Sequence, residues 1–336
     1  MISNLMIDCI IRIVEEKRKP VSIRTREITA DEATQIWGMM GYLWLVKDTA
    51  RMQAYETAIN GCVKDKTVLE IGTGALAPLA RMCVKAGAKK VYAIEANTKA
   101  VEICRENLRR DNLTSKIEVV HGLSYDVSLK EKADVLVHEV VGNMGSEEGM
   151  VRLVHDAKKR LLKENASFIP LECSVDVVPV EKPTFINPPF FIIANLYRFI
   201  LWRFKVTKKM SYYWNFPKTN FISDPLEYER KRFGYDLELE EKRELTFKIE
   251  KESRFNGFLF WNNILASKNN TINTLRGSSW PAVFIPVTRK SIKLSPGDGI
   301  ILKTYQDLRI NPKYQFKALV KTGKTIVEFE TIKIGR

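Results

Sequence analysis

Val68–Ala80 reads VLEIGTGALAPLA, and this stretch decides the fold. An apolar run carrying Glu70 near its end reads as a buried strand. Gly72, Thr73 and Gly74 then form a tight loop ahead of a helical pattern, LAPLARMCVKAG, which Gly87 ends. Glycines in such a loop let the backbone approach a ligand that a Cβ would hold off. Downstream, KKVYAIEA reads as a second strand and TKAVEICRENLRRDN as a helix. KIEVVHG and ADVLVHEVV read as two further strands, with another helix around Gly149 to Leu162. Strand and helix in alternation predict a parallel sheet with helices on both faces. The residues ahead of Asp65 read as helical and would cap it, so residues 1–169 are expected to form one α/β, Rossmann-like domain.

From Pro170 the pattern changes to short strands broken by Pro, Gly and Asn: SVDVVPVE, ELTFKIE, VFIPV, GIILKTY, YQFKALV and TIVEFETIKI. Regular spacing of such runs predicts a sandwich or β-barrel-like domain over residues 170–336. Between about Thr184 and Asn220 lies an aromatic interruption, FFIIANLYRFILWRF and then YYWNF. It reads either as core or as an exposed arm that packs on a second copy of the chain.

Composition narrows the classes. With 336 residues, 45% hydrophobic and 28% charged, the chain has room for two buried cores and the balance of a soluble globular protein. Cys9, Cys62, Cys83, Cys104 and Cys173 show no CxxC spacing, which argues against a disulfide framework or a zinc site and fits a reducing, cytoplasmic setting. The start, MISNLMIDCII, has no basic n-region, so no signal peptide is expected. The longest apolar stretch, Phe190 to Trp202, is short for a membrane span and carries Asn195 and Arg198. A net charge of +14 first suggests nucleic acid, but Lys and Arg are spread along the chain without a recognisable nucleic-acid motif. A solvated basic surface is the plainer reading, and no nucleic-acid partner is expected.

Two clusters carry chemistry. The first is the glycine loop with Glu70 before it and Glu95 after the second strand, placed to accept hydrogen bonds from ribose hydroxyls. Gly72-x-Gly74-x-x-Ala77 also satisfies a relaxed dinucleotide fingerprint. A pyrophosphate would meet repulsion from Glu70, whereas the sulfonium and ammonium of S-adenosyl-L-methionine would be stabilised by it. The second cluster is HEVVGNMGSEEGM, His138 to Met150. Glu139 ends the fourth strand, and strand ends line the ligand crevice of open parallel sheets. Glu147 and Glu148 precede the next helix, where acids are also ordinary complements to the helix dipole.

At these motifs the sequence resembles the protein arginine methyltransferase family, from roughly Tyr42 to the C-terminus. That family carries two glutamates nine positions apart, a glycine three after the first and a methionine two after the second. Glu139, Gly142, Glu148 and Met150 stand at those places. The resemblance makes Glu139 and Glu148 the catalytic pair, with Glu147 the competitor for the second position. It implies S-adenosyl-L-methionine bound by Arg51 (in LVKDTARMQAYETAI), Glu70, Gly72, Thr73, Gly74, Glu95, Ser124, Asp126 and Met150; Tyr125 departs from the family's acidic pattern. It implies a barrel with a dimerisation arm at about 184–220, hence a homodimer, and a loop beside the substrate at Ser279 and Trp280. Two departures bear on an arginine, peptide or protein substrate. Ser279 replaces a histidine, and DEATQIWGMM lacks the family's paired aromatics. Three other readings stay open: a methyltransferase of a non-arginine small molecule, a dinucleotide-dependent oxidoreductase, and a non-catalytic dimeric scaffold.

Overall fold

Five parallel strands form the first sheet of the computed structural model, which describes residues 47–182 and 210–335. They are β1 (Thr67–Ile71), β2 (Lys90–Glu95), β3 (Ile117–His121), β4 (Ala133–His138) and β5 (Leu162–Ile169), in spatial order β3-β2-β1-β4-β5. β1 is buried along its whole length, and β2 and β4 nearly so, which is why they read as apolar runs without alternation. Four helices accompany the sheet: α1 (Thr49–Asn60), α2 (Pro78–Lys85), α3 (Thr98–Arg110) and α4 (Met150–Arg160). Pro78 opens α2 behind Ala77, which takes a left-handed conformation, so the helix begins two residues later than the pattern LAPLARM suggests. The Asn97 side chain caps α3 by accepting from the Ala100 N–H, and Arg109 and Arg110 complement its C-terminal dipole. Among the described residues no helix is long and apolar enough to cross a membrane.

The strands that follow are antiparallel. β6 (Glu172–Val180), β7 (Ser211–Tyr213), β8 (Leu226–Arg232), β11 (Gly257–Ser267) and β13 (Ala282–Pro286) lie in the order β7-β13-β11-β6-β8, with β12 (Asn270–Asn273) paired to β11. A second sheet runs β17-β16-β15-β9, from β9 (Glu240–Lys248), β15 (Gly299–Asp307), β16 (Lys313–Thr322) and β17 (Thr325–Glu328), with β18 (Ile332–Ile334) also on β16. β10 (Ser253–Phe255) and β14 (Ile292–Leu294) form a separate ribbon. Tyr228 of β8, Phe260 of β11 and Phe316 of β16 meet ring to ring, so the two sheets share one aromatic core. A Rossmann-like parallel core followed by a β-rich domain is therefore the architecture.

Two local readings change. TIVEFETIKI is two strands, β17 and β18, that pair with different parts of β16. YYWNF belongs to the sheet: Tyr213 pairs with Ala282, and Phe216 is fully buried against Tyr213 and Phe221. That end of the 184–220 segment is core and not arm. FFIIANLYRFILWRF and DEATQIWGMM lie outside the described residues.

Candidate active site

The order of the parallel sheet reverses between β1 and β4, and the crevice of such a sheet opens at the C-terminal ends of those two strands. The loops leaving them touch, since a Cβ on Gly72 would lie 3.2 Å from Val140 Cγ2. Gly72 and Gly74 have φ of +79° and +67°, which L side chains adopt only under strain. Glu95, at the end of β2, ties this loop down. Its Oε2 accepts from the Gly74 N–H at 2.8 Å and its Oε1 from the Asn97 N–H at 2.8 Å. Thr73 turns inward and donates to Glu70 Oε2 at 2.6 Å, so its side chain braces the loop. Burial pushes the Glu70 carboxyl up to about 7, Glu95 adding to the rise, while Thr73 and the Ala80 amide hold it down.

Arg51, on α1, is the hub of a second cluster. Asp48 caps α1 by accepting from the Arg51 N–H at 3.0 Å through Oδ1. Its Oδ2 collects the Ser278 hydroxyl (2.8 Å), the Ser279 hydroxyl (2.9 Å) and the Ser279 N–H (2.7 Å). Burial alone would raise Asp48, but these hydrogen bonds and the Arg51 charge bring it below the ordinary value. The Arg51 guanidinium stacks 3.3 Å above the Trp280 ring, meets Ser279 Oγ at 3.2 Å and donates to Glu139 Oε1 at 2.9 Å. Ser279 thus serves as a hydrogen-bonding post for Asp48 and Arg51, and Trp280 as the platform for Arg51. The arginine assigned to a ligand's carboxylate is here paired with the first glutamate of the clamp.

Glu139 follows β4, and Tyr55 of α1 fixes that strand end by donating to the His138 carbonyl at 3.0 Å. His138 itself is buried edge-on to Phe233, and burial drops its pKa to about 3, so it stays neutral. Burial pushes the Glu139 carboxyl up to about 8, with Arg51 opposing and Glu148 and Asp48 adding to the rise. Burial likewise lifts Glu148 to about 7, with Glu147 adding and Arg51 opposing. Glu148 is open to solvent yet enclosed by protein on its other sides, as a residue in the wall of a cleft is. The two carboxylates sense each other and the same guanidinium, so their titration belongs to the pair.

Glu147 points elsewhere. Its Cβ sits against Gly142, 2.5 Å from where a Gly142 Cβ would be, and the Met144 and Asn143 amides bear on its carboxyl. It braces the turn within the loop, whereas the carboxylate that bears on Glu139 is that of Glu148. This corrects the view of Glu147 as an ordinary helix-terminal acid.

The remaining expected residues fall in two places. Ser124 lies buried in the turn after β3 with no partner for its hydroxyl, while Asp126 is exposed beside it. Arg160, the last residue of α4, donates to the Ser124 and Val127 carbonyls at 2.8 and 2.9 Å and so holds that turn. Tyr125, the departure in this turn, lies under the Arg152 guanidinium at 4.3 Å. Met150 is fully buried in the hydrophobic core at the start of α4, so it supports the site from beneath. Sequence reasoning missed Asp48, Ser278, Tyr55, Glu229 and Asn262. Only Asp48 left a readable signal, an N-cap residue three ahead of Arg51.

Residues 49–170 match the family described as ribosomal protein L11 methyltransferase. The protein arginine N-methyltransferase PRMT10 of Arabidopsis thaliana is 36% identical over 141 residues, 41% of this chain and 36% of that protein. The histone-arginine methyltransferase CARMER of Drosophila persimilis is 32% identical over 177 residues, 50% of this chain and 33% of its own length. Over this part of its length the chain is similar to protein arginine methyltransferases. It spans about a third of the length of the curated relatives it matches. Two solved arginine methyltransferases share the fold. The Trypanosoma brucei PRMT1 enzyme–prozyme heterotetrameric complex with AdoHcy has a TM-score of 0.70 at 15% identity, covering 89% of this chain and 98% of its own. Arabidopsis thaliana protein arginine methyltransferase 10 gives 0.66 at 22%, covering 88% and 97%. Ser279 stands before Trp280, the position at which the resemblance implies a histidine.

Proposed function

We propose that this protein transfers a methyl group from S-adenosyl-L-methionine to a guanidino nitrogen of arginine, free or within a peptide or protein. One observation carries the reading: Glu139, just after β4, and Glu148, nine residues on in the same loop, are both raised in proton affinity by burial and both bear on Arg51, and Glu148 bears on Glu139. Such a pair suits a planar, singly charged fork of N–H donors.

The residues present suit that methyl donor. Glu70, Glu95, Glu139, Glu147 and Glu148 lie at or just after the ends of the parallel strands, and among the described residues Arg51 is the cation paired with Glu139 and Asp48. Burial holds several of these carboxyls partly protonated near neutrality; a bound sulfonium and ammonium would favour their ionised form, whereas a pyrophosphate would oppose it. The buried, unpartnered Ser124 hydroxyl stands ready for a hydrogen bond. Arg51 would hold the donor's carboxylate, Glu95 the ribose hydroxyls, the Gly72–Gly74 backbone its flank, and Ser124 with Asp126 the adenine. When bound, the donor supplies an electrophilic methyl carbon on a positively charged sulfur.

The chain's own residues do the rest. A guanidinium keeps its proton to pH 12 and beyond, so its nitrogens are weak nucleophiles until charge is redistributed. Glu139 and Glu148 accept paired N–H bonds and draw positive charge onto the nitrogens they touch. The remaining nitrogen recovers lone-pair density and is aimed along the line of transfer. The proton it sheds has an acceptor in Glu148, whose carboxyl takes up a proton near neutrality. A homodimer and a cytoplasmic location are part of this proposal; the first rests on the family resemblance of the 184–220 segment and the second on the isolated cysteines.

Calorimetry separates the donor from the dinucleotide. S-adenosyl-L-methionine is expected to bind with a Kd of roughly 1 μM to tens of μM, about −6 to −8 kcal/mol, and NAD not measurably. NAD binding in that range with no uptake of the methyl donor would remove the basis of the reading.

A further inference from the structure

The two clamp glutamates sit on one loop, and the tip of that loop is held by the β-rich domain. Gly142 and Gly145 close a tight turn, with the Gly142 N–H donating to the Gly145 carbonyl at 2.9 Å. Asn262 of β11 reaches both ends of it. Its Nδ2 donates to the Gly142 carbonyl at 2.8 Å, and its Oδ1 accepts from the Gly145 N–H at 2.9 Å. Asn262 is itself fixed, since its backbone N–H donates to Thr274 Oγ1 at 2.9 Å and its carbonyl accepts from the Thr274 N–H at 2.9 Å. On the other side, Glu229 of β8 accepts from the Ser146 hydroxyl at 2.6 Å. The turn lies flush against β6 and β8: a Cβ on Gly145 would come within 2.6 Å of Glu229 Oε1 and 2.7 Å of Val175 Cγ2. Asn262 and Glu229 have no exposed surface.

A buried carboxylate and a buried amide are costly unless their bonds are made, so a fully buried pair spent on one turn is a specific device. The pinned residues, Gly142, Gly145 and Ser146, all lie between Glu139 and Glu148 in the chain. We infer that Asn262 and Glu229 are positioning residues that set the spacing of the Glu139–Glu148 clamp, making the β-rich domain part of the guanidinium site. Neither touches the reacting atoms. Each acts through the turn, which has little freedom of its own once both anchors hold it. Glu229 needs only an acceptor for Ser146, because its Oε2 has no partner. An amide in its place keeps that acceptor.

This inference rests on the arginine reading above, and the test keeps the two apart. Asn262→Asp places a carboxylate oxygen against the Gly142 carbonyl, Glu229→Ala removes the Ser146 acceptor, Ser146→Ala removes its donor, and Glu229→Gln is the conservative control. Amide hydrogen exchange of residues 142–148 in the full-length protein is expected to quicken by at least about tenfold in the first three variants and to stay near wild type in Glu229→Gln. In parallel, kcat/KM on an arginine-rich peptide should fall by at least about tenfold in those three, with the donor Kd changed by less than about threefold. The donor Kd also certifies the fold, and Ser146→Ala is the least disruptive variant should another fail to express. Unchanged exchange of 142–148 in Ser146→Ala and Asn262→Asp would overturn the inference, as would faster exchange spread evenly through the parallel sheet. A wild type that methylates no arginine would sink the functional reading alone, and the exchange data would still decide the positioning.

Discussion

Glu148→Gln is expected to lower kcat on an arginine substrate by at least about a hundredfold, close to 3 kcal/mol of transition-state stabilisation. The substitution keeps shape and removes one charge of the pair, so the guanidinium loses the acceptor that localises its positive charge. Donor affinity should hold within a few-fold, because the direct ion-pair partners of Arg51 are Glu139 and Asp48, and Glu148 acts on it only at longer range. The pH profile gives a second signature. Both carboxyls are raised, Glu139 to about 8 and Glu148 to about 7, so below those values each carries a proton and the clamp is neutral. Wild-type kcat/KM should therefore climb from pH 6 to 9 through the titration of the pair, and the variant should lose one of the two steps. Stability moves the opposite way. A carboxyl whose folded pKa is raised weakens the folded state as pH rises from its unfolded value through the folded one. Glu148→Gln removes that penalty, so its Tm at pH 9 should equal or exceed wild type. A variant with full turnover and an unaltered profile would take Glu148 out of the mechanism.

Arg51→Ala should be the most damaging change to donor binding. The guanidinium is nearly inaccessible and lies between Glu139, Asp48, Ser279 and the Trp280 ring. Its loss leaves two acids facing each other with no counter-cation. Removing one partner of a buried ion pair costs about 3–5 kcal/mol, and the low end applies because Glu139 can take up a proton. The donor Kd should rise at least about a hundredfold and Tm should fall by roughly 5–10 °C, with the stability loss smaller at pH 6 than at pH 9. Arg51→Lys should recover little of the binding, since a point charge neither stacks on Trp280 as a plane nor spans Glu139 and Ser279 together. A lowered Tm with unchanged donor affinity would make Arg51 a structural residue only.

The parallel sheet was legible because β1, β2 and β4 are buried on both faces and so read as uninterrupted apolar runs. Glu139, Glu148 and the glycine loop were legible for a related reason: a strand end followed by a short motif is local in sequence. What escaped is long-range. Asp48 meets Ser279 across 231 positions, and Asn262 meets the Gly142 turn across 120. β8, LEYERKR, hid for a physical reason, because it buries Glu229 and Lys231 and its charges mimic a solvated loop. Lys231 is stable there through Glu241 at 3.1 Å and the Glu238 carbonyl at 3.3 Å, partners that only the folded sheets supply. YYWNF was ambiguous because aromatic residues suit a core and an exposed arm equally. Pairing of β7 with β13 resolved it as core.

The central claim is that the Glu139–Glu148 cleft presents a guanidinium to a methyl donor. The most direct measurement incubates the purified protein with S-adenosyl-L-methionine bearing a heavy-isotope methyl group, alongside free arginine, arginine-rich peptides and cell extract. Mass spectrometry with fragmentation then locates the label. The account predicts label on guanidino nitrogens of arginine with wild type and at least about a hundredfold less with Glu148→Gln at equal donor occupancy. Label appearing on lysine, on a carboxyl oxygen or on a small molecule without a guanidino group, and unaffected by Glu148→Gln, would contradict it.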